Sequence, residues 1–119
     1  MPINEHNSTY NIKKLVEYVG DNEETIKEMV SIFLKSAPEL LGQMLEAYDK
    51  GDLDATSRAA HKLKPSLDVF GLDDLGDPIR KIEQAFKNNG SPKMILPFIE
   101  LVESRLTNVL QQMHDDYNV

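Results

Sequence analysis

Three histidines and no cysteine bound the chemistry open to this chain of 119 residues. Without thiols there is no disulfide scaffold, no cysteine zinc site, no iron–sulfur cluster and no thiol nucleophile. Imidazole is then the side chain that changes charge near neutral pH. Of the three, His61 has the most purposeful neighbours. Arg58, Lys62 and Lys64 surround it, and no acidic residue falls between Ala55 and Leu67. A charge run is usually a solvated face, but this one is a cationic island in a chain of net charge −7. Lys64 lies one helical turn beyond His61, where its ammonium can reach an anion held at the ring. Pro65 stands four residues on, where a long side chain would overhang the imidazole. Its compact ring leaves the imidazole open, and its missing N–H leaves the His61 carbonyl without a helical partner. An open imidazole among cations, without metal-ligand companions, suits bond formation to phosphorus. Imidazole is a covalent nucleophile, and a pKa of about 6.5 leaves much of it neutral near pH 7. Phosphoryl transfer asks mainly for positioning and charge stabilisation, which Lys64 could supply. His6 and His114 have no partners at ligand spacing, so no metal site is expected.

The elements that must position His61 are helices. Apolar residues recur at helical spacing almost throughout, and no alternating strand pattern competes. Residues 1–9 read as a flexible N-terminal segment, 10–114 as one helical domain and 115–119 as a frayed C-terminus. A short first helix is expected over 11–19, carrying Ile12, Leu15, Val16 and Val19, and Gly20 stops it. Asp21 or Asn22 caps the second, and Asp21 with Glu24 has capping-box spacing. Its stripe runs from Ile26 through Met29, Val30, Phe33 and Leu41 to Tyr48, in phase across Pro38, which reads as one long helix kinked at the proline. Asp52 caps a third helix with the seam Leu53, Thr56, Ala60, Leu63, Leu67 and Phe70. A fourth carries Leu75, Ile79, Ile82 and Phe86, its start left open by the cap-like pair Asp77-Pro78. Ser91-Pro92 opens a fifth, with Ile95, Ile99, Val102, Leu106, Val109 and Met113. Met29, Met44, Met94 and Met113 read as core filler, and Asp73-Asp74 and Asp115-Asp116 as helix-end residues. The expected fold is all-α: an antiparallel up-and-down four-helix bundle with a short additional N-terminal helix.

On the third helix, residues advance by about 100° each. His61 therefore points roughly 130° away from a seam centred on Ala60, Leu63 and Leu67, toward solvent. Ser57, Lys64, Pro65 and Asp68 share that outward face.

The run from His61 to Gly71 resembles the signature of histidine-containing phosphotransfer (HPt) domains. It matches at His61, Lys64, Ser66 and Gly71, preceded by the family-like Ala59-Ala60. It departs at Pro65, where glycine is usual, and at Leu67, where a small residue is common. Helix order and length fit over nearly the whole chain. The resemblance implies a carrier that takes a phosphoryl group from a receiver-domain aspartate onto His61 and hands it to another receiver aspartate. Lys64 would stabilise the phosphate. Glu83 lies where some members carry a glutamine near the imidazole, which implies an orienting role. Ser66 and Gly71 would serve helix packing. The docking surface would lie around His61, with Ile12, Leu15, Val69 and the exposed edge of the second helix as its apolar part and Arg58, Lys62, Pro65 and Asp68 about it. Partners would be receiver domains and a hybrid sensor kinase. Magnesium would belong to the receiver, with no cofactor in this chain. No phosphate-binding glycine loop of the ATPase or kinase kind is present.

The acidic balance argues against nucleic acid or an anionic membrane as partner. No signal peptide or membrane-spanning run is visible, so the cytoplasm is the expected compartment and a monomer the expected state. Two other classes compete with the carrier: a bundle that docks a partner without transfer, and an enzyme with its own pocket. The pairing of His61 with Lys64 argues against the first. The lack of a second catalytic group converging on an enclosed site argues against the second.

Overall fold

A computed structural model describes residues 10–119. The expected flexible segment 1–9, with His6, lies outside the described residues. Five α-helices follow: α1 Lys13–Val19, α2 Glu23–Asp49, α3 Leu53–Val69, α4 Gly76–Lys87 and α5 Pro92–Tyr117. A single 3₁₀ turn, Asp73–Leu75, leads into α4. There is no strand among the described residues. α2 packs on α3, α3 on α4, α4 on α5, and α5 back on α2, which closes the expected four-helix bundle; α1 lies against α2 and α3. The long axis of 45 Å is close to the roughly 40 Å of a 27-residue helix at 1.5 Å per residue, so α2 sets the length of the molecule.

The termini of the helices are chemically explained. Asn22, not Asp21, caps α2, its side chain accepting from the Thr25 N–H at 3.0 Å. Asp52 caps α3 by accepting from the Ala55 N–H at 3.0 Å. α4 starts at Gly76, one residue before the expected Asp77-Pro78 signal, because the 3₁₀ turn feeds straight into it. Asp77 pairs instead with Arg80 at 3.1 Å. Pro38, Pro65 and Pro97 all lie inside helices that continue past them.

The core is the expected apolar seam. Val30, Met44, Leu63, Ile79, Leu106 and Val109 have essentially no exposed surface. Phe33 and Phe70 stack at 4.6 Å between ring centroids, joining α2 to the end of α3. Three expectations need correction. Met94 and Phe86 lie on the exposed side of their helices rather than in the core. Leu15 is 3% exposed; α1 lies across two helices and turns this residue inward, so Leu15 is core rather than docking surface. Helix α5 runs through Tyr117 instead of fraying at 115. The Tyr10 hydroxyl donates to Asp116 Oδ2 at 2.6 Å, and Tyr117 packs against the core, so the last turn has tertiary support. Burial and the neighbouring Asp116 carboxylate push the Tyr10 phenol well above its usual range.

Three ties hold the connections. Arg105 Nε and Nη2 donate to Asp74 at 2.7 and 2.9 Å, a bidentate pair fixing the turn before α4 to α5. The Tyr48 hydroxyl donates to the Pro92 carbonyl at 2.9 Å, anchoring the start of α5. Gly71 has φ +73°, and a Cβ there would sit 2.3 Å from Asn11 Nδ2. The Asn11 N–H donates to the Phe70 carbonyl at 2.9 Å. Glycine at 71 therefore both turns the chain in the left-handed region and lets the lead-in to α1 close over the end of α3.

Candidate functional site

His61 lies on the outward face of α3, with its side chain 68% exposed. This is where the turn angle from Ala60, Leu63 and Leu67 places it. Its only partner among the described residues comes from another helix: Nδ1 lies 2.6 Å from Glu83 Oε2. Lys64 Nζ donates to the other oxygen of the same carboxylate, Oε1, at 3.2 Å. One carboxyl group thus bridges the two residues whose spacing singled them out.

Glu83 can do this because α4 packs along α3. Ile79 and Ile82 are fully buried on α4, and Glu83, next in sequence, sits at the edge of that face with its side chain 16% exposed. Burial pushes the carboxyl upward, but the hydrogen bonds from His61 and Lys64 outweigh it and hold Glu83 below the usual carboxylate range. An ionised carboxylate can only accept. In the neutral ring the proton therefore belongs on Nδ1, which leaves Nε2 with its lone pair and no partner among the described residues. The tautomer is set by the acid behind the ring, as in carboxylate–histidine pairs generally.

The cationic island is more compensated than the linear sequence implies. Arg58 pairs with Asp54 at 3.4 Å, and Glu83 enters from α4 to meet Lys64. Lys62 is exposed and lines a hollow with Arg58, Glu46 and Lys50. Asp68 accepts from Lys14 Nζ at 2.6 Å, a bond that raises the Lys14 ammonium above its usual range. That pair pins α1 to α3 rather than standing free for a partner.

Beside His61, one and two turns along α3, an apolar groove of about 210 Å³ runs between α3 and α2. Pro65, Ser66 and Val69 form one wall, Met29, Ile32 and Ser36 the other, and Leu15, Phe33 and Phe70 line it with them. Ile32 is more than half exposed. Val69 and Pro65 are where they were expected. Ile12 is not: it packs half-buried near Tyr10, Val16 and Tyr117 in a different hollow. Ile32 was not named from the sequence, and Met29, read there as core filler, lines the groove. Ile32 carried a signal, an apolar side chain lying off the stripe of Val30, Phe33 and Leu34. His114 is exposed and lies 3.7 Å from Asp115. No group of three metal-ligating side chains converges among the described residues, and none of their helices is long and apolar enough to cross a membrane.

Comparison with known proteins fits this geometry. The profile of the Hpt domain matches residues 28–116, which include all of α3 and α4 and hence His61, Lys64 and Glu83. A stretch of 84 residues, 70% of this chain, is 31% identical to a 4-hydroxy-tetrahydrodipicolinate synthase of Archaeoglobus fulgidus. The chain spans only 28% of the length of that curated relative. No solved structure matches. With the profile covering most of the chain, a helical bundle and an open histidine on its third helix, the chain belongs to the Hpt domain family, whose work is histidine phosphotransfer in phosphorelay.

Proposed function

We propose that His61 is the phosphoryl-accepting residue, taking the group from a receiver-domain aspartate and passing it to another. The observation that carries this reading is the Nδ1 contact with Glu83 at 2.6 Å, on a ring that is otherwise 68% exposed. It supports Nε2 as the nucleophile, an atom left open for in-line attack on phosphorus. Lys64 is the charge partner. Its Nζ is held on Glu83 and is within one turn of His61, so it can turn from the carboxylate to an equatorial phosphoryl oxygen as charge arrives there. The receiver docks over the groove between α2 and α3, covering Ile32, Met29, Pro65 and Val69, with Arg58 and Lys62 meeting its acidic pocket. Magnesium comes with the receiver, and a cytoplasmic setting, where receivers and the kinase domains that charge them meet, fits this role. The test is incubation with a phosphorylated receiver. The wild type should gain one phosphoryl group that is stable to base and lost in acid, and His61→Gln should gain none. A chain that binds receivers with unchanged affinity but never takes up phosphate would instead be a docking module.

A further inference from the structure

The Glu83 carboxylate bears on the loaded state of His61 as well as on the resting one. Both its oxygens are engaged, Oε2 on Nδ1 at 2.6 Å and Oε1 under Lys64 at 3.2 Å, and the side chain is mostly buried. The Nδ1 contact and the burial of the side chain hold it at the ring when Lys64 turns to the phosphoryl group. A bare lone pair on Nδ1 would face an anion at hydrogen-bond distance, so the arrangement accommodates a protonated Nδ1 and disfavours a deprotonated one.

In the resting protein that condition costs nothing, since a neutral ring with its proton on Nδ1 satisfies it. Phosphorylation changes the balance. With phosphorus on Nε2 and a proton on Nδ1 the ring is a cation, and a solvent-exposed phosphoimidazole sheds that proton as pH rises through the imidazole range, around 6.5. The two forms differ in reactivity. From the protonated form, a receiver carboxylate oxygen attacks phosphorus, the P–Nε2 bond breaks, and its electron pair returns to Nε2. The ring leaves as neutral imidazole, its proton still on Nδ1 and donated to Glu83, and no proton enters or departs. From the deprotonated form the leaving group would be an imidazolate anion, which is far poorer.

We infer that Glu83 keeps the Nδ1 proton on His61 throughout the loaded state, and so acts as a positioning residue that holds the carrier competent for onward transfer at alkaline pH. The inference rests on the reading of His61 as the phosphorylated residue. The charged groups around the ring are Lys64, Arg58 and Lys62 on α3, Glu83 on α4, and Glu46 and Lys50 of α2 beyond Arg58 and Lys62. The Lys14–Asp68 pair ties α1 farther along α3. Glu83 alone among them touches the ring.

The test uses the full chain loaded with phosphoramidate, freed of donor, and followed between about pH 6 and pH 9, across and above the range where imidazole titrates. Loss of phosphohistidine is measured alone and with a receiver domain that accepts from the wild type. Glu83→Gln can either accept from Nδ1–H or donate to a bare Nδ1, so it lifts the restriction while conserving shape. Its transfer rate should match the wild type within about twofold near pH 6 and fall about tenfold below it near pH 8, the effect of a one-unit displacement in ring titration. Its phosphohistidine should also survive longer without a receiver at that pH, a gain that mere loss of structure would not produce. In the wild type the phosphorus resonance of phosphohistidine should titrate about one pH unit above the free imidazole range of around 6.5, a measurement that needs no variant. Superimposable pH profiles for the two proteins, or a wild-type resonance that titrates as a free phosphoimidazole does, overturn this inference and leave the reading of His61 standing. A wild type that takes no label, or label that survives His61→Gln, overturns both.

Discussion

Two exposed histidines in this molecule sit beside a carboxylate, and they differ in everything except that. His61 meets Glu83 at 2.6 Å across two helices, and the acid's side chain is 16% exposed. His114 meets Asp115 at 3.7 Å; the two are neighbours in sequence, and the side chains are 61% and 67% exposed. The first acid is buried at the edge of a packed face, ionised, and shared with Lys64. The second is a surface group whose attraction is screened and whose hydrogen bond comes from Gln111 on its own helix, not from a second element. Exposure of an imidazole and an acid nearby do not make a site. A second element that fixes the acid does, because it decides which nitrogen carries the proton.

The strongest way to break this contrast is to exchange the roles. His61→Gln should abolish phosphoryl uptake and His114→Gln should leave it intact, read as mass gain after incubation with a phosphorylated receiver. Uptake that survives the first or dies with the second would erase the distinction. Lys64→Ala comes next. Loss of one positioned cation should slow phosphoryl transfer roughly tenfold to a hundredfold in rapid-quench kinetics, while receiver affinity changes much less. Equal rates would mean that Lys64 merely balances Glu83. A smaller effect is expected at the groove. Ile32→Glu places a charge in an apolar contact and should weaken receiver binding about tenfold by titration calorimetry, whereas Leu101→Glu, on the exposed side of α5, should not. If both weaken binding equally, docking is not confined to the His61 face. The smallest effect concerns stability. The Glu83 carboxyl lies below its ordinary range in the fold, so its contribution is complete above the unfolded carboxylate's pKa of about 4.3 and is lost as pH falls through the folded value. Urea unfolding should find Glu83→Gln less stable than wild type by no more than about 1 kcal/mol at neutral pH, with the gap closing toward pH 3. Asp115→Asn should show no gap at either pH.

The bundle and the face of His61 were legible because both follow from a period of 3.6 along one helix. Ala60, Leu63 and Leu67 define an inside, and His61 and Lys64 are then outside by angle alone. What was not legible depends on how helices meet. Glu83 was marked by the family resemblance alone; no local pattern sets it apart from an ordinary surface glutamate until α4 lies along α3 and brings it to the imidazole. Leu15 and Ile12, the N-cap residue of the seven-residue α1, share a stripe, and which of them faces the core is set by how α1 crosses α2 and α3. Met94 and Phe86 are apolar but fall near the loop joining α4 to α5, on the exposed sides of their helices. The last turn of α5 is held by Tyr10, more than a hundred residues earlier, a contact no local pattern announces. Asp73-Asp74 reads as a cap, yet Asp74 is claimed by Arg105. In each case the missing information was a long-range contact, and the residues that looked unremarkable were the ones that supplied it.

The open imidazole on a convex helix also limits traffic. On the proposed role of His61, one histidine beside this groove would have room for one receiver at a time, so donor and acceptor would take turns and the carrier would work as a ping-pong shuttle. Throughput is then bounded by how quickly each partner lets go. A receiver that bound this face very tightly would act as an inhibitor of its own pathway. The shallow groove, small and partly exposed, is what a shuttle needs: enough contact to align the phosphorus, too little to hold it.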